Sequence, residues 1–453
     1  MKSIKAINPF NGEPLETYQK DTSKSIANKK EKALTAFETW SVKTIAQRTK
    51  LLHNVSKLLL ERKEKYANLM TKEMGKPISQ SIAEIEKCVW ACDFYHVNAE
   101  NFLADQLIET DAEESFISYD PLGVILAVMP WNYPFWQVIR FAAPTLTAGN
   151  TAILKHAKNV PGCARALEDL FKDAGYPEGC FQSILAGHEV IEELIADDAI
   201  KAVTLTGSEK AGKAIAALAG KHLKKTVLEL GGNNACIVWE DADLEQYMET
   251  MVKARMQNTG QSCIAAKRFI VCETIYDTFI EKFQSVVESL PVGNPEEDET
   301  YIGVLARPDL AEDVSEQVEK SIAKGARLLL GNERDGAFYS PTILGDVTSG
   351  MPVFDEETFG PVAAVIKAKD REHSIQLATT SNYGLGTMLF TEDVEAGRKI
   401  ISQIPDGAFF INEMVKSDPR LPFGGTKNSG YGRELSKEGI LEFVNKKTVY
   451  IKK

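Results

Sequence analysis

The sequence predicts an α/β chain with two parallel-sheet domains and a small additional β element. Short apolar runs alternate with helical patterns through residues 122–239, a second such series begins near Asp241, and two short alternating runs lie outside both. Parallel strands need crossover helices, so a repeated strand-helix rhythm with short connections is their signature. At 453 residues the chain has room for two large domains or about three of roughly 150 residues each.

Taken in order, Ile45, Leu51, Leu52, Val55, Leu58 and Leu59 recur at three- and four-residue intervals, which predicts an amphipathic helix over 44–62. More helix is expected over 79–100, then a short strand at 116–119. Strands follow at 122–129 and 151–154, a helix at 161–173, a strand at 181–185 and a helix at 188–196. The 200–205 strand runs through Thr206, Gly207 and Ser208 into a helix over 209–222, and strands at 226–230 and 235–239 complete the block. The second series comprises 267–272, 276–290, 326–330, 362–367 and 408–412. Strands outside the main sheets commonly pair across subunits, so 116–119 and 448–451 are expected to form an oligomerisation element. The expected domains are 1–102 with 122–231, then 232–443, with 103–121 and 444–453 forming the β element.

Composition narrows the function. Of the residues, 44% are apolar and 26% charged, enough for sizeable cores, so wholesale disorder is excluded. Net charge is −12 with no long basic run, which argues against nucleic acid as a partner. The first fifteen residues lack the apolar stretch of a secretory signal, and 122–129 is too short to span a bilayer. A cytoplasmic chain with no membrane partner is expected. Seven cysteines, an odd number scattered through a long chain, are expected to be reduced thiols. Cys88, Cys92 and His96 share one helical face, but no fourth ligand is evident and buried free cysteine is the simpler reading, so no metal is expected.

Three motifs carry chemistry. Gly207 to Gly212 follows a strand and opens a helix, where backbone N–H groups and the helix dipole face a phosphate; it also fits a plain turn. Asn258-Thr259-Gly260-Gln261-Ser262-Cys263 is a polar, glycine-containing loop ending in a thiol, which makes Cys263 the best nucleophile candidate. Leu228-Glu229-Leu230-Gly231-Gly232 sets a carboxylate at an apolar strand end, where burial raises its pKa toward that of a general base; a solvent-facing Glu fits equally.

These motifs occur in order with Pro130-Trp131-Asn132-Tyr133-Pro134, Glu356-Glu357-Thr358-Phe359-Gly360-Pro361 and Pro422-Phe423-Gly424-Gly425, followed by Lys427, Ser429 and Gly430. Over essentially its whole length the chain resembles the aldehyde dehydrogenase superfamily, and within it the short bacterial type of succinate-semialdehyde dehydrogenase. The resemblance implies the aldehyde dehydrogenase fold: a Rossmann-like cofactor domain, a catalytic domain and a β oligomerisation element of a homodimer or homotetramer. It implies that Cys263 attacks the aldehyde, with the oxyanion held by the Asn132 amide and the Cys263 N–H. Hydride transfer to NAD or NADP leaves a thioester, which Glu229 hydrolyses by activating water, with Glu434 relaying protons.

By the same matching, Trp131, Lys155, Lys158, Gly207, Ser208, Glu357 and Phe359 contact the cofactor. Lys158 stands where NAD-preferring members often carry Glu, so repulsion of a 2′-phosphate is removed and NADP is expected to be accepted. Arg140 matches a position that grips a distal substrate carboxylate, and it fits a structural ion pair as well; Ser417 is a further donor for that carboxylate, and Trp136 fits either the tunnel wall or packing within its helix. Gln257 replaces a second Arg found in some such enzymes. A coenzyme A-acylating enzyme, another short aldehyde as substrate and a non-catalytic scaffold are the alternatives; Glu229 favours hydrolysis.

Overall fold

The computed structural model describes residues 3–452. Five parallel strands, Val124–Met129, Thr151–His156, Phe181–Ile184, Ile200–Thr206 and Lys225–Glu229, lie in the spatial order third, second, first, fourth, fifth. Gly430–Tyr431 adds a short antiparallel strand beside Lys225–Glu229. The first two strands are buried at every residue, which is why their apolar runs are continuous and do not alternate. Strand order reverses between Val124–Met129 and Ile200–Thr206, and in such sheets a crevice opens outside the carboxyl ends at that point.

The second sheet has seven strands. Asn234–Val238 lies between Ala266–Cys272 and Thr387–Phe390, flanked further out by Val362–Ala368 and Thr342–Gly345 on one side and Phe409–Ile411 on the other. All are parallel except the edge strand Arg327–Leu330. The strands Thr342–Gly345 and Thr387–Phe390 are too short to stand out from neighbouring loops in sequence. Tyr276–Glu288 is an amphipathic helix burying Tyr276, Phe279, Phe283 and Val287.

Four helices precede the first parallel strand. Ile45–Glu61 starts at a reciprocal capping box between Thr44 and Gln47. Ser23–Trp40 has no clear signature in sequence because it buries only Ala33, Ala36 and Trp40. The 26-residue helix Ile78–Leu103 packs against both Ile45–Glu61 and Trp136–Thr147. Its Cys88 and Cys92 are core residues, while His96 turns aside to stack on His53, ring centres 4.7 Å apart. No group of three or more His, Cys, Asp or Glu side chains that could hold a metal ion occurs among the described residues.

The two runs outside the main sheets pair with each other. Val444–Ile451 runs antiparallel to Glu114–Pro121, and Gln106–Leu107 flanks the latter. This small sheet leaves Leu107, Ile108, Tyr450 and Ile451 exposed. Among the described residues, no helix is long and apolar enough to cross a membrane.

Candidate active site

Cys263 lies in the connection between the helix Leu244–Met256 and the central strand Ala266–Cys272 of the second sheet. The approach is strained: Asn258 and Thr259 have φ of 56° and 52°, in the left-handed region that a β-branched residue rarely adopts. Such strain costs about 1–3 kcal/mol per residue and persists only where surroundings over-determine it. Here they do. The Asn258 N–H donates to Gln80 Oε1 at 2.6 Å, the Asn258 amide donates to the carbonyls of Asn132 and Gln261, and Thr259 Oγ1 accepts from the Gly303 N–H. Buried Lys267 donates to the carbonyls of Ser262 and Cys263 at 2.9 and 2.7 Å, clamping the loop from beneath.

The thiol is partly exposed, whereas the other six cysteines are buried. Burial pushes its pKa up, and the charges of Lys267 and Arg140 pull it down. The Cys263 N–H donates to no protein acceptor among the described residues. Asn132, close by, donates from its side-chain amide to the Gln261 carbonyl at 3.1 Å, which leaves one amide hydrogen over. The Asn132 turn is fixed from below by Glu84, whose Oε1 accepts the N–H groups of Phe135 and Trp136 at 2.9 Å each and whose Oε2 pairs with buried Lys76.

Two cavities meet at Cys263. The larger, about 560 Å³, runs along the carboxyl ends of the first sheet, where Trp131, Lys155, Lys158, Gly207, Ser208, Glu357 and Phe359 all line it. Ser208 is the N-cap of the helix Glu209–Lys221, so the free N–H end of that helix faces this crevice. Among the described residues the Lys155 ammonium has no hydrogen-bond or ion-pair partner, and both polar side-chain atoms of Asn159 are buried without partners. These orphaned groups, a helix N-terminus and a cationic rim fit a dinucleotide. Trp131 and Phe359 meet edge to face, 5.8 Å apart, beside the thiol. Glu357 Oε1 accepts from the Gly232 N–H and from Lys267, and a Cβ on Gly231 would lie 2.2 Å from Glu357 Oε2, so a larger residue there would push the carboxylate aside. Lys267 therefore joins the Cys263 loop to the cofactor wall.

The second cavity, about 200 Å³, lies on the other side of Cys263 and is lined by Lys87, Trp136, Arg140, Gln257 and Ser417 among others. The structure thus brings the three sequence-predicted substrate residues into one chamber with the thiol. It also adds Lys87, whose position in a helix with no motif gives no signal in sequence.

Glu229 and Glu434 are both buried, and their carboxylates lie together with Arg140, which ion-pairs with Glu434. Burial and the neighbouring Glu434 push the Glu229 carboxyl well above its ordinary range, against the pull of Arg140. Burial raises Glu434 as well. Among the described residues neither Glu229 side-chain oxygen has a hydrogen-bond partner, and the side chain lines neither cavity. A Cβ on Gly424 would lie 2.7 Å from Glu229 Oε1, so glycine there keeps space around the carboxylate. Arg140 and Glu434, to which sequence assigns separate tasks, thus neutralise one another.

Fold and site together define a dinucleotide-dependent oxidoreductase with a thiol set between a cofactor crevice and a substrate chamber. The chain belongs to the aldehyde dehydrogenase family, whose sequence pattern matches residues 1–449. It is 50% identical over 452 residues to a probable succinate-semialdehyde dehydrogenase [NADP(+)] of Synechocystis, covering 99% of this chain and 100% of that one. A succinate semialdehyde dehydrogenase [NAD(P)+] of Escherichia coli is 45% identical, with 98% and 97% covered. Among solved structures, the succinic semialdehyde dehydrogenase of Streptococcus pyogenes in complex with NADP+ superposes with a TM-score of 0.97 at 37% identity, covering 99% and 100% of the two chains.

Proposed function

We propose that this enzyme oxidises succinate semialdehyde to succinate, using NADP and also NAD. The observation that supports this is the chamber behind Cys263, whose wall carries Lys87, Arg140 and Ser417, two cations and a hydroxyl suited to a distal carboxylate. Relatives named for that substrate, at 44–50% identity over nearly the whole chain, support the same reading.

Lys155, Lys158, Gly207, Ser208, Glu357, Trp131 and Phe359 would hold the cofactor, which when bound supplies the two-electron acceptor. The Cys263 thiolate adds to the aldehyde carbon, and the oxyanion that develops is met by the spare Asn132 amide hydrogen and the free Cys263 N–H. Trp136 forms part of the wall that keeps the chain of the substrate in line. After oxidation the acyl group rests on sulfur as a thioester. Glu229, turning from Glu434 toward the sulfur, takes a proton from water as the water attacks the acyl carbon. Glu434, beside it, passes that proton outward. The acid leaves and the thiol is restored.

An aldehyde panel tests the reading: kcat/KM for succinate semialdehyde is expected to exceed that for butanal at least about tenfold, a difference of roughly 1.4 kcal/mol, with free succinate as product. Equal values for the two aldehydes, or an acyl-coenzyme A product, would refute it. Cofactor choice has its own test. Lys158 is exposed on the crevice rim, near Lys155 and His188. In Lys158→Glu, the ratio of kcat/KM for NADP to that for NAD is expected to fall at least about tenfold, since a cation that can meet a 2′-phosphate becomes a repelling anion. An unchanged ratio removes Lys158 from cofactor selection.

The small sheet with exposed Leu107, Ile108, Tyr450 and Ile451 supports assembly as a homodimer or homotetramer through that element. Seven unpaired thiols support a reducing, cytoplasmic location.

A further inference from the structure

We propose that Glu84, held by Lys76, is a positioning residue for the reaction: it fixes the start of the helix Trp136–Thr147 and with it the place of the Asn132 amide relative to the Cys263 thiol. The inference rests on the oxyanion role given to Asn132 above and concerns what keeps that amide in place. Residues 130–135 join the strand Val124–Met129 to this helix and carry Asn132. The first N–H groups of a helix have no partner within it. Here the N-cap residue is Phe135, whose side chain accepts nothing, and the first turn holds no acidic residue. Capping comes from another helix: Glu84 Oε1 takes the N–H groups of Phe135 and Trp136 at 2.9 Å each, and its charge lies at the positive end of the helix dipole.

The same helix holds the nucleophile loop. Gln80 stands four residues before Glu84 on Ile78–Leu103, and so on the same face. Gln80 Oε1 accepts the Asn258 N–H at 2.6 Å, and the Asn258 amide donates to the Asn132 carbonyl at 2.8 Å. Adjacent turns of one helix therefore grip the loop that ends in Cys263 and the turn that carries Asn132, which sets the spacing of nucleophile and oxyanion donor. Lys76, buried just before that helix, pairs with Glu84 Oε2 and sits 3.9 Å from the centre of the Tyr133 ring. His156 Nε2 lies 3.0 Å from the Pro134 carbonyl. The carbonyl side of the turn is thus held by neutral groups, Asn258 and His156, and its N–H side by one charge, Glu84. Desolvation offsets most of the attraction within a buried ion pair, so the contribution of Lys76 and Glu84 lies in direction more than in net stability.

A double-mutant cycle tests this with wild type, Glu84→Gln, Asn132→Ala and the double variant, each full length. The readout is the single-turnover rate of NADP reduction at saturating succinate semialdehyde. Glutamine keeps the shape of Glu84 and removes its charge. Asn132→Ala is expected to slow the step about 10²- to 10³-fold, the scale for one lost oxyanion donor, and Glu84→Gln about 10- to 100-fold, the scale for a misplaced reacting group. In Glu84→Gln the KM, the Kd for NADP and the rate of Cys263 alkylation by iodoacetamide are expected to stay within about twofold of wild type. In the Asn132→Ala background Glu84→Gln is expected to cost less than about a further twofold, because the amide it places is gone. A merely structural role would leave the two losses multiplying. The proposal is overturned by that result, by a wild-type rate in Glu84→Gln, or by NADP affinity and thiol reactivity that fall along with the rate. Should Lys76, left without its anion, prevent Glu84→Gln from folding, Lys76→Met/Glu84→Gln removes both charges and enters the same cycle with the same expected result. A wild-type rate in Asn132→Ala defeats the oxyanion reading itself, whereas a slow Asn132→Ala whose loss multiplies with that of Glu84→Gln defeats only the assignment to Glu84.

Discussion

Replacing Cys263 with alanine is expected to lower aldehyde-dependent cofactor reduction by at least about a thousandfold, the scale seen when a covalent nucleophile is removed. The physical reason is that the remaining groups bind and polarise the aldehyde but offer no atom to receive the acyl group. The other six cysteines are buried and cannot substitute. Serine at the same position should fare little better, because an alcohol ionises far less readily than a thiol. Burial raises the Cys263 pKa, so in wild type the thiolate fraction, and with it the acylation rate, should climb as pH rises above neutrality. Single-turnover rates of cofactor reduction across pH measure this. Parental speed in Cys263→Ser or Cys263→Ala would refute the covalent route.

Glu229→Gln should separate the two halves of the reaction. Oxidation of the first equivalent is expected to proceed, giving a burst of one reduced cofactor per active site, after which steady turnover slows by about 10²- to 10⁴-fold, the usual contribution of a general base. The acyl-enzyme should then accumulate on Cys263 and be visible by intact-protein mass spectrometry. In wild type the sign of the pH effect follows from a raised carboxyl pKa: protonated Glu229 is idle as a base, so deacylation should accelerate as pH rises and the carboxylate forms. The glutamine variant should lose that dependence. Steady turnover at the wild-type rate, without a burst, would take Glu229 out of the hydrolytic step.

Much of the fold around this candidate site is legible in the sequence. The strand at 124–129, the helix Pro161–Asp173 and the strand-turn-helix around Gly207 announce themselves because a buried strand is a continuous apolar run and an amphipathic helix repeats at 3.6 residues. Cys263 is visible because a thiol at the end of a polar glycine loop is out of place as a core residue. Weaker signals failed for a definite reason. Ser23–Trp40 buries too little to print a stripe, and the hairpin of Ser3–Ile7 with Pro14–Gln19 is mostly exposed. Lys87 carries no local mark, since a lysine on a helix is ordinarily a solvated charge.

The sequence by itself determined the α/β architecture, the order of the strands along the chain and the motifs from which the candidate site is built, because periodicity and motif spacing are properties of neighbouring residues. Tertiary structure alone decided how the charges are shared: Arg140 is given to Glu434, Lys267 is drawn under the Cys263 loop to reach Glu357, and Lys87 faces the chamber without an anion. Electrostatic energy depends on distance through space and on exclusion of water, and both are set by which remote segments the fold brings together.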